Sequence, residues 1–272
     1  MRMKCKIGRI FGLLTCLSIC FLFWTVHGEP TVHTMPAAQP CDLTGLLEKT
    51  TWTASDYRML TEQTGLTSAA LDLLRQRGEL DTIPDIQNAY FQPVAATCTA
   101  NQLISRSERL TEGAAPLTAL EDGDILLTPC SHVFGWRNGH AALVVDAEQG
   151  TTLEAIVIGQ NSTLRSIDHW KALPAVAVYR LRGVDAETRS AIAQTAARRL
   201  TDVPYSLTVG ILSAKRTPGA VTGTQCAHLV WEAFAAFGYD LDANGGGLVT
   251  PGDLARSPLL ELKQVYGLPL TD

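Results

Sequence analysis

The spacing of apolar positions changes rhythm along the chain. From Cys41 to about Arg109 they recur at helical steps. Ser55 is placed to cap a short helix through Leu60, and Thr67 to cap another through Leu71, Leu74 and Arg77 that stops at Gly78. Pro84 opens a third over Ile83 to Phe91. After Leu117 the rhythm shortens. Asp124 to Thr128, His140 to Asp146, Thr152 to Ile158 and Ala175 to Leu181 are short runs rich in β-branched residues, which predict four antiparallel strands, with Ala147 to Gly150 as a tight connection between the second and third. Helical spacing returns behind Asp185, through Ile192, Ala196 and Leu200. An irregular stretch from Val203 to Gln225 leads into a last strong helix, in which Leu229, Val230, Ala233, Phe234 and Phe237 share one face before Gly238 ends it. Thr250 and Pro251 open a helical turn, and Leu259 to Tyr266 predicts an edge strand. Four strands, two helices and a strand make an α+β domain.

The N-terminus has a different texture. Arg2, Lys4, Lys6 and Arg9 precede an uncharged run from Ile10 to Val26, and Val26, His27 and Gly28 offer a cleavage site, so residues 1–28 read as a signal peptide. That run is near the lower limit for spanning a bilayer, and left uncleaved it would tether the chain to a membrane. Residues 29–40, rich in proline, threonine and alanine, read as a flexible linker, 41–115 as a helical extension and 116–272 as the main domain. Loss of the signal removes four positive charges and moves the net charge from −5 to −9, which argues against nucleic acid as a partner. Cys41, Cys98, Cys130 and Cys226 remain, too few for a disulfide scaffold, although a Cys41–Cys98 bridge stays open. No pair has zinc-ligand spacing, so neither a metal nor another cofactor is expected.

The chemistry centres on Cys226. A thiol in the first turn of a helix faces unpaired amide N–H groups and the positive end of the helix dipole, which favours the thiolate. It needs a base. His33 lies in the linker, His169 in a polar connection suited to a structural role, and His228, two residues on, is turned about 200° away around the helix. His140 opens a strand behind Asn138 and Gly139, and Ala141 and Ala142 leave room for close approach. Glu154, an acid in an apolar strand, needs a partner. Opposite Ala142 or His140 it would share a face with the imidazole; one residue of slip would turn it away to solvent. Cys226 as nucleophile, His140 as base and Glu154 as orienting acid follow the logic of covalent acyl transfer.

Gly123-Asp-Ile-Leu126, Gly139-His-Ala-Ala-Leu-Val-Val145, Leu153-Glu-Ala155, Pro204-Tyr-Ser206 and Gln225-Cys-Ala-His-Leu-Val230 resemble, in that order, the permuted NlpC-type papain-like cysteine hydrolases of the YiiX/YebB kind. The histidine strand precedes the cysteine helix here, the reverse of the unpermuted enzymes. The resemblance covers about Glu121 to Gly267. It implies a circularly permuted papain-like domain with an N-terminal helical extension. It also implies a Cys226–His140–Glu154 triad, and a place for Tyr205, from the Pro-Tyr motif, beside the oxyanion. Two departures stand out: Gln225 where an aspartate is common, and Lys215 to Gly219 lengthening the approach to Cys226. The implied activity is that of an exported cysteine amidase or endopeptidase, extracellular or in the cell envelope. It would cleave peptidoglycan stem peptides through a thioester. The same triad could serve an acyl-lipid or thioester hydrolase or acyltransferase, as in lecithin:retinol acyltransferase. A ligand-binding module without catalysis, its groove covered by the helical extension, is the third reading.

Overall fold

The computed structural model describes residues 12–21, 30–102, 104–216 and 219–270. Of the expected signal peptide, 1–11 and 22–28 lie outside the described residues; 12–21 form an exposed helix, α1. Among the described residues no helix is long and apolar enough to cross a membrane.

Four helices follow: α2 (Thr44–Leu47), α3 (Ala54–Thr64), α4 (Ser68–Arg77) and α5 (Ile83–Phe91). The cap of α3 is Thr53, not Ser55: its hydroxyl accepts the Asp56 N–H while Asp56 accepts the Thr53 N–H, a reciprocal box that starts the helix two residues earlier. The helix also outlasts Leu60, ending where Gly65 turns left-handed. Leu60, Leu71, Leu74, Ile83 and Ile86 form a small core among these helices.

Helical spacing does not persist to Arg109. β1 (Ala96–Gln102) and β2 (Ser105–Leu110) form an antiparallel hairpin, extended by β4 (Ser131–Val133) and β5 (Trp136–Arg137) into a four-stranded sheet. Its polar, half-exposed strands bury too few side chains to leave an apolar signature in the sequence. The second sheet takes β3 (Ile125–Thr128), β6 (His140–Asp146), β7 (Thr151–Glu154), β8 (Thr163–Ser166), β9 (Val176–Leu181) and β10 (Leu260–Tyr266) in the order β10-β9-β3-β6-β7-β8, every pair antiparallel. The third predicted strand thus stops at Glu154 rather than Ile158, and β8 was not foreseen. The helices α6 (Asp168–Lys171), α7 (Ala186–Arg199), α8 (Cys226–Ala235) and α9 (Pro251–Ala255) complete a mixed α+β fold.

Strand β6 divides the interior by its alternation. Ala141, Leu143 and Val145 meet Ile192 and Ala196 of α7 and Leu229, Val230 and Phe234 of α8; Ala142 and Val144 face Ile167 and Trp170. Every residue of α8 is buried, so the helix packs all round and not on the single face its spacing predicts. The outer edge of β10 is covered by the helical block, since Val265 N–H donates to Gly65 O at 2.9 Å and Thr67 N–H to Lys263 O at 2.9 Å. The segment after residue 30 is not a free linker: Val32 N–H donates to Glu108 at 2.9 Å and Thr34 N–H to Gly267 O at 2.9 Å. Cys41 and Cys98 are both free thiols.

Candidate active site

Local backbone chemistry sets the position of His140. Gly139 has φ 74°, and a Cβ there would stand 2.8 Å from Thr128 O, so only glycine fits the turn that feeds the strand. His140 then pairs with Thr128 at the open end of the sheet. Leu143 pairs with Leu153, and one further step sets Glu154 opposite Ala142. This is the register in which His140 and Glu154 share a face. His140 Nε2 lies 2.8 Å from Glu154 Oε2, which leaves Nδ1 for the Cys226 sulfur alongside. Trp170 stacks on the imidazole with 5.5 Å between centroids and 17° between planes, fixing the ring's orientation.

Cys226 is the first residue of α8, behind the cap residue Gln225. The Gln225 amide is engaged at both its oxygen and its nitrogen: Oε1 accepts the Ala227 N–H at 2.9 Å and Nε2 donates to Val249 O at 2.5 Å. Cys226 Sγ sits 3.6 Å from the same Oε1, so Gln225 holds the helix start and the 249 loop together beside the thiol.

Glu154 is 1% exposed and stays charged because donors surround it. Besides His140 it accepts the Thr152 hydroxyl at 2.6 Å and Trp170 Nε1–H at 3.2 Å, and His169 Nε2 stands 3.0 Å from Oε1 and 3.2 Å from Oε2. Burial pushes the Glu154 carboxyl up, but the hydrogen bonds from His140 and His169 and their charge outweigh it and hold the group well below the usual range. For His140, burial works downward, and the hydrogen bonds and negative charge of Cys226 and Glu154 overcome it, raising the imidazole from 6.5 to about 10. The ring is thus disposed to carry a proton beside the sulfur.

Tyr205 is held by backbone bonds to the strand-like entry of α8: Thr224 N–H donates to Pro204 O at 3.0 Å and Ser206 N–H to Thr224 O at 2.7 Å. Burial first, then the charge of Cys226, pushes its phenol up, so the hydroxyl remains a donor. Cys226, His140, Glu154 and Tyr205 all line one cleft of about 1120 Å³ between the two sheets. Its size suits a peptide or other extended small substrate.

Two clusters escaped the sequence. His169 braces the site: Nδ1 is 2.6 Å from Ser166 O while Nε2 meets Glu154, so it supports the carboxylate alongside His140. No spacing rule links residue 169 to 154, because the contact is made by β8 returning the chain. The second cluster centres on Glu108, 1% exposed, with His132 Nε2 at 2.8 Å and Arg137 at 2.6 Å; it holds the segment at Val32. His228 points away from Cys226, as its position on the helix requires, and is 2.9 Å from Thr224 Oγ1 and 2.6 Å from Lys215 O. Among the described residues no group of three or more His, Cys, Asp or Glu side chains is arranged to hold a metal ion.

No protein-family model matches the sequence, and no curated protein does. Among solved structures, the crystal structure of the metalloprotein YiiX from Escherichia coli O157:H7 is similar to this chain at 15% sequence identity and a TM-score of 0.42, over 55% of this chain and 98% of that one.

Proposed function

We propose that the chain is a cysteine hydrolase of permuted papain-like architecture that cleaves an amide bond, with peptidoglycan stem peptides as the substrate class. One observation carries the reading: His140 stands between the Cys226 sulfur and a carboxylate held by four side chains, at the wall of a substrate-sized cleft. The N-terminal charge and apolar pattern supports export to the cell envelope. The Cys226 thiol gives its proton to His140, and the sulfur attacks the carbonyl carbon. The Cys226 backbone N–H and the Tyr205 hydroxyl are the candidate donors to the oxyanion. His140 passes its proton to the leaving amine as the C–N bond breaks. Water then attacks the thioester, gives a proton to His140, and releases the acid and the thiol.

The test is incubation of the purified chain with purified cell wall, alongside alkylation of Cys226 by iodoacetamide. Release of stem peptide, lost in Cys226→Ala, is expected, together with at least tenfold slower alkylation in His140→Ala at neutral pH. A reactive Cys226 with no released peptide sinks the wall substrate. An unreactive Cys226 sinks catalysis and leaves the ligand-binding reading.

One feature favours acyl substrates on the same triad. Leu207 and Leu248 line the cleft and are more than a third exposed, an apolar stretch of its wall. Turnover of an acyl thioester or lipid without wall cleavage would establish that variant.

A further inference from the structure

The cleft reverses the charge of the molecule. The chain carries a net −5, yet the cleft walls hold Arg109, Arg137 and Arg165 against a single carboxylate, that of Glu154. Arg137 is committed to Glu108 at 2.6 Å. Arg109 and Arg165 are not: among the described residues neither has a carboxylate within ion-pair distance, and the one side-chain hydrogen bond of Arg109 goes to His169 O, at 2.8 Å.

The two arginines arrive from different sheets. On β2, Ser105, Ser107 and Arg109 line the cleft, and on β8, Thr163 and Arg165 do, in each case the alternate residues that share one face. A wall of hydroxyls ending in two guanidinium groups results. The two charges lie close enough to oppose each other: burial first, then Arg165, lowers the Arg109 guanidinium from its usual value, against a weaker upward pull from Cys130 and Glu154. Like charges brought together in a cleft with no carboxylate in ion-pair contact gain when an anion enters, and the guanidinium fork matches carboxylate and phosphate oxygens.

We propose that Arg109 and Arg165 form an anion-binding subsite that takes a carboxylate or phosphate group of the substrate whose scissile bond lies at Cys226. The inference rests on the hydrolase reading for the placement of that bond. The subsite is joined to the orienting carboxylate of Glu154 through one residue, since Arg109 holds the backbone oxygen of His169 and the His169 ring touches Glu154. An anionic substrate would thus be held from the same side as the residue that supports Glu154.

Two probe series of increasing methylene length separate the subsite from the chemistry. Acetamidoalkyl carboxylates and phosphonates, with carboxamides as neutral partners, are titrated into the purified chain by calorimetry; the matching bromoacetamides alkylate Cys226, the sulfur displacing bromide. At one chain length the anionic probe should bind and react roughly tenfold better than the carboxamide at low salt. That ratio should fall to about 1 in Arg165→Gln, recover in part in Arg165→Lys, which keeps the charge but not the fork, and shrink as salt is added. Arg165 is exposed, so its replacement leaves the fold intact; Arg109→Gln provides the second reading. The better of the two anions identifies the substrate group. Equal binding of anionic and neutral probes at every length, or a preference that survives both glutamine variants, overturns the subsite. Arginine-dependent binding with an inert Cys226 upholds the subsite and overturns the hydrolase, and a reactive Cys226 without anion preference does the reverse.

Discussion

Tyr205 and Cys226 share a wall of the cleft but carry different burdens. In the proposed mechanism the sulfur forms and breaks the bond, so Cys226→Ala should abolish turnover. The Tyr205 hydroxyl would only share the oxyanion with a backbone N–H, and a donor of that kind contributes about 3 kcal/mol. Tyr205→Phe should therefore lower kcat about a hundredfold with little change in KM, read from steady-state kinetics on any substrate that Cys226 turns over. Equal losses for the two variants would show that the phenol orders the cleft rather than the transition state. At this scale the sequence was informative where chemistry is local. A thiol at a helix start and an imidazole behind Gly139 could be read directly, whereas His169 could not, because what matters about it is a contact with Glu154 made across the sheet.

At the scale of elements, α8 depends on its first residue. Gln225 caps the helix through Ala227 and ties it to Val249, so Gln225→Ala should cost about 1 kcal/mol of stability through the lost cap. It should also slow alkylation of Cys226 by loosening the thiol against His140. Denaturant unfolding and labelling of the same variant separate the two effects; an unchanged labelling rate at reduced stability would show that the cap serves folding alone. The pairing of β6 with β7 is the other decisive element. Alternation in the sequence left two registers open, and burial of Leu143 and Leu153 on the α7–α8 side selects the one that turns Glu154 toward His140. The β1–β2 hairpin was missed for the opposite reason, since its polar strands owe their pairing to the neighbouring β4 and to Glu108.

For the molecule as a whole, the site's charges make stability and activity depend on pH with a definite sign. His140 is raised, so its contribution is complete below about pH 6.5 and lost as pH climbs through about 10. Glu154 is depressed, so its contribution is present above about pH 4.5 and lost only in stronger acid. The gap in Tm between the parent and Glu154→Gln should be widest between those limits and narrow as pH approaches 10. In the proposed mechanism turnover needs His140 protonated to release the amine, so its alkaline fall should move to lower pH in Glu154→Gln. A gap that widens steadily above pH 8 would contradict the assigned ionisation.

The sequence by itself determined the α+β class, most of the strands and helices of the main domain, and the candidacy of Cys226 and His140, because periodicity, caps and a helix-start thiol are properties of neighbouring residues. Tertiary structure alone decided which side of the sheet Glu154 faces, that His169 supports it, that residues 32–34 are pinned, and that Arg109 and Arg165 meet in one cleft. Those outcomes depend on strand register and on two sheets closing over a shared space, where the partners are tens of residues apart and only burial of the surrounding side chains brings them together.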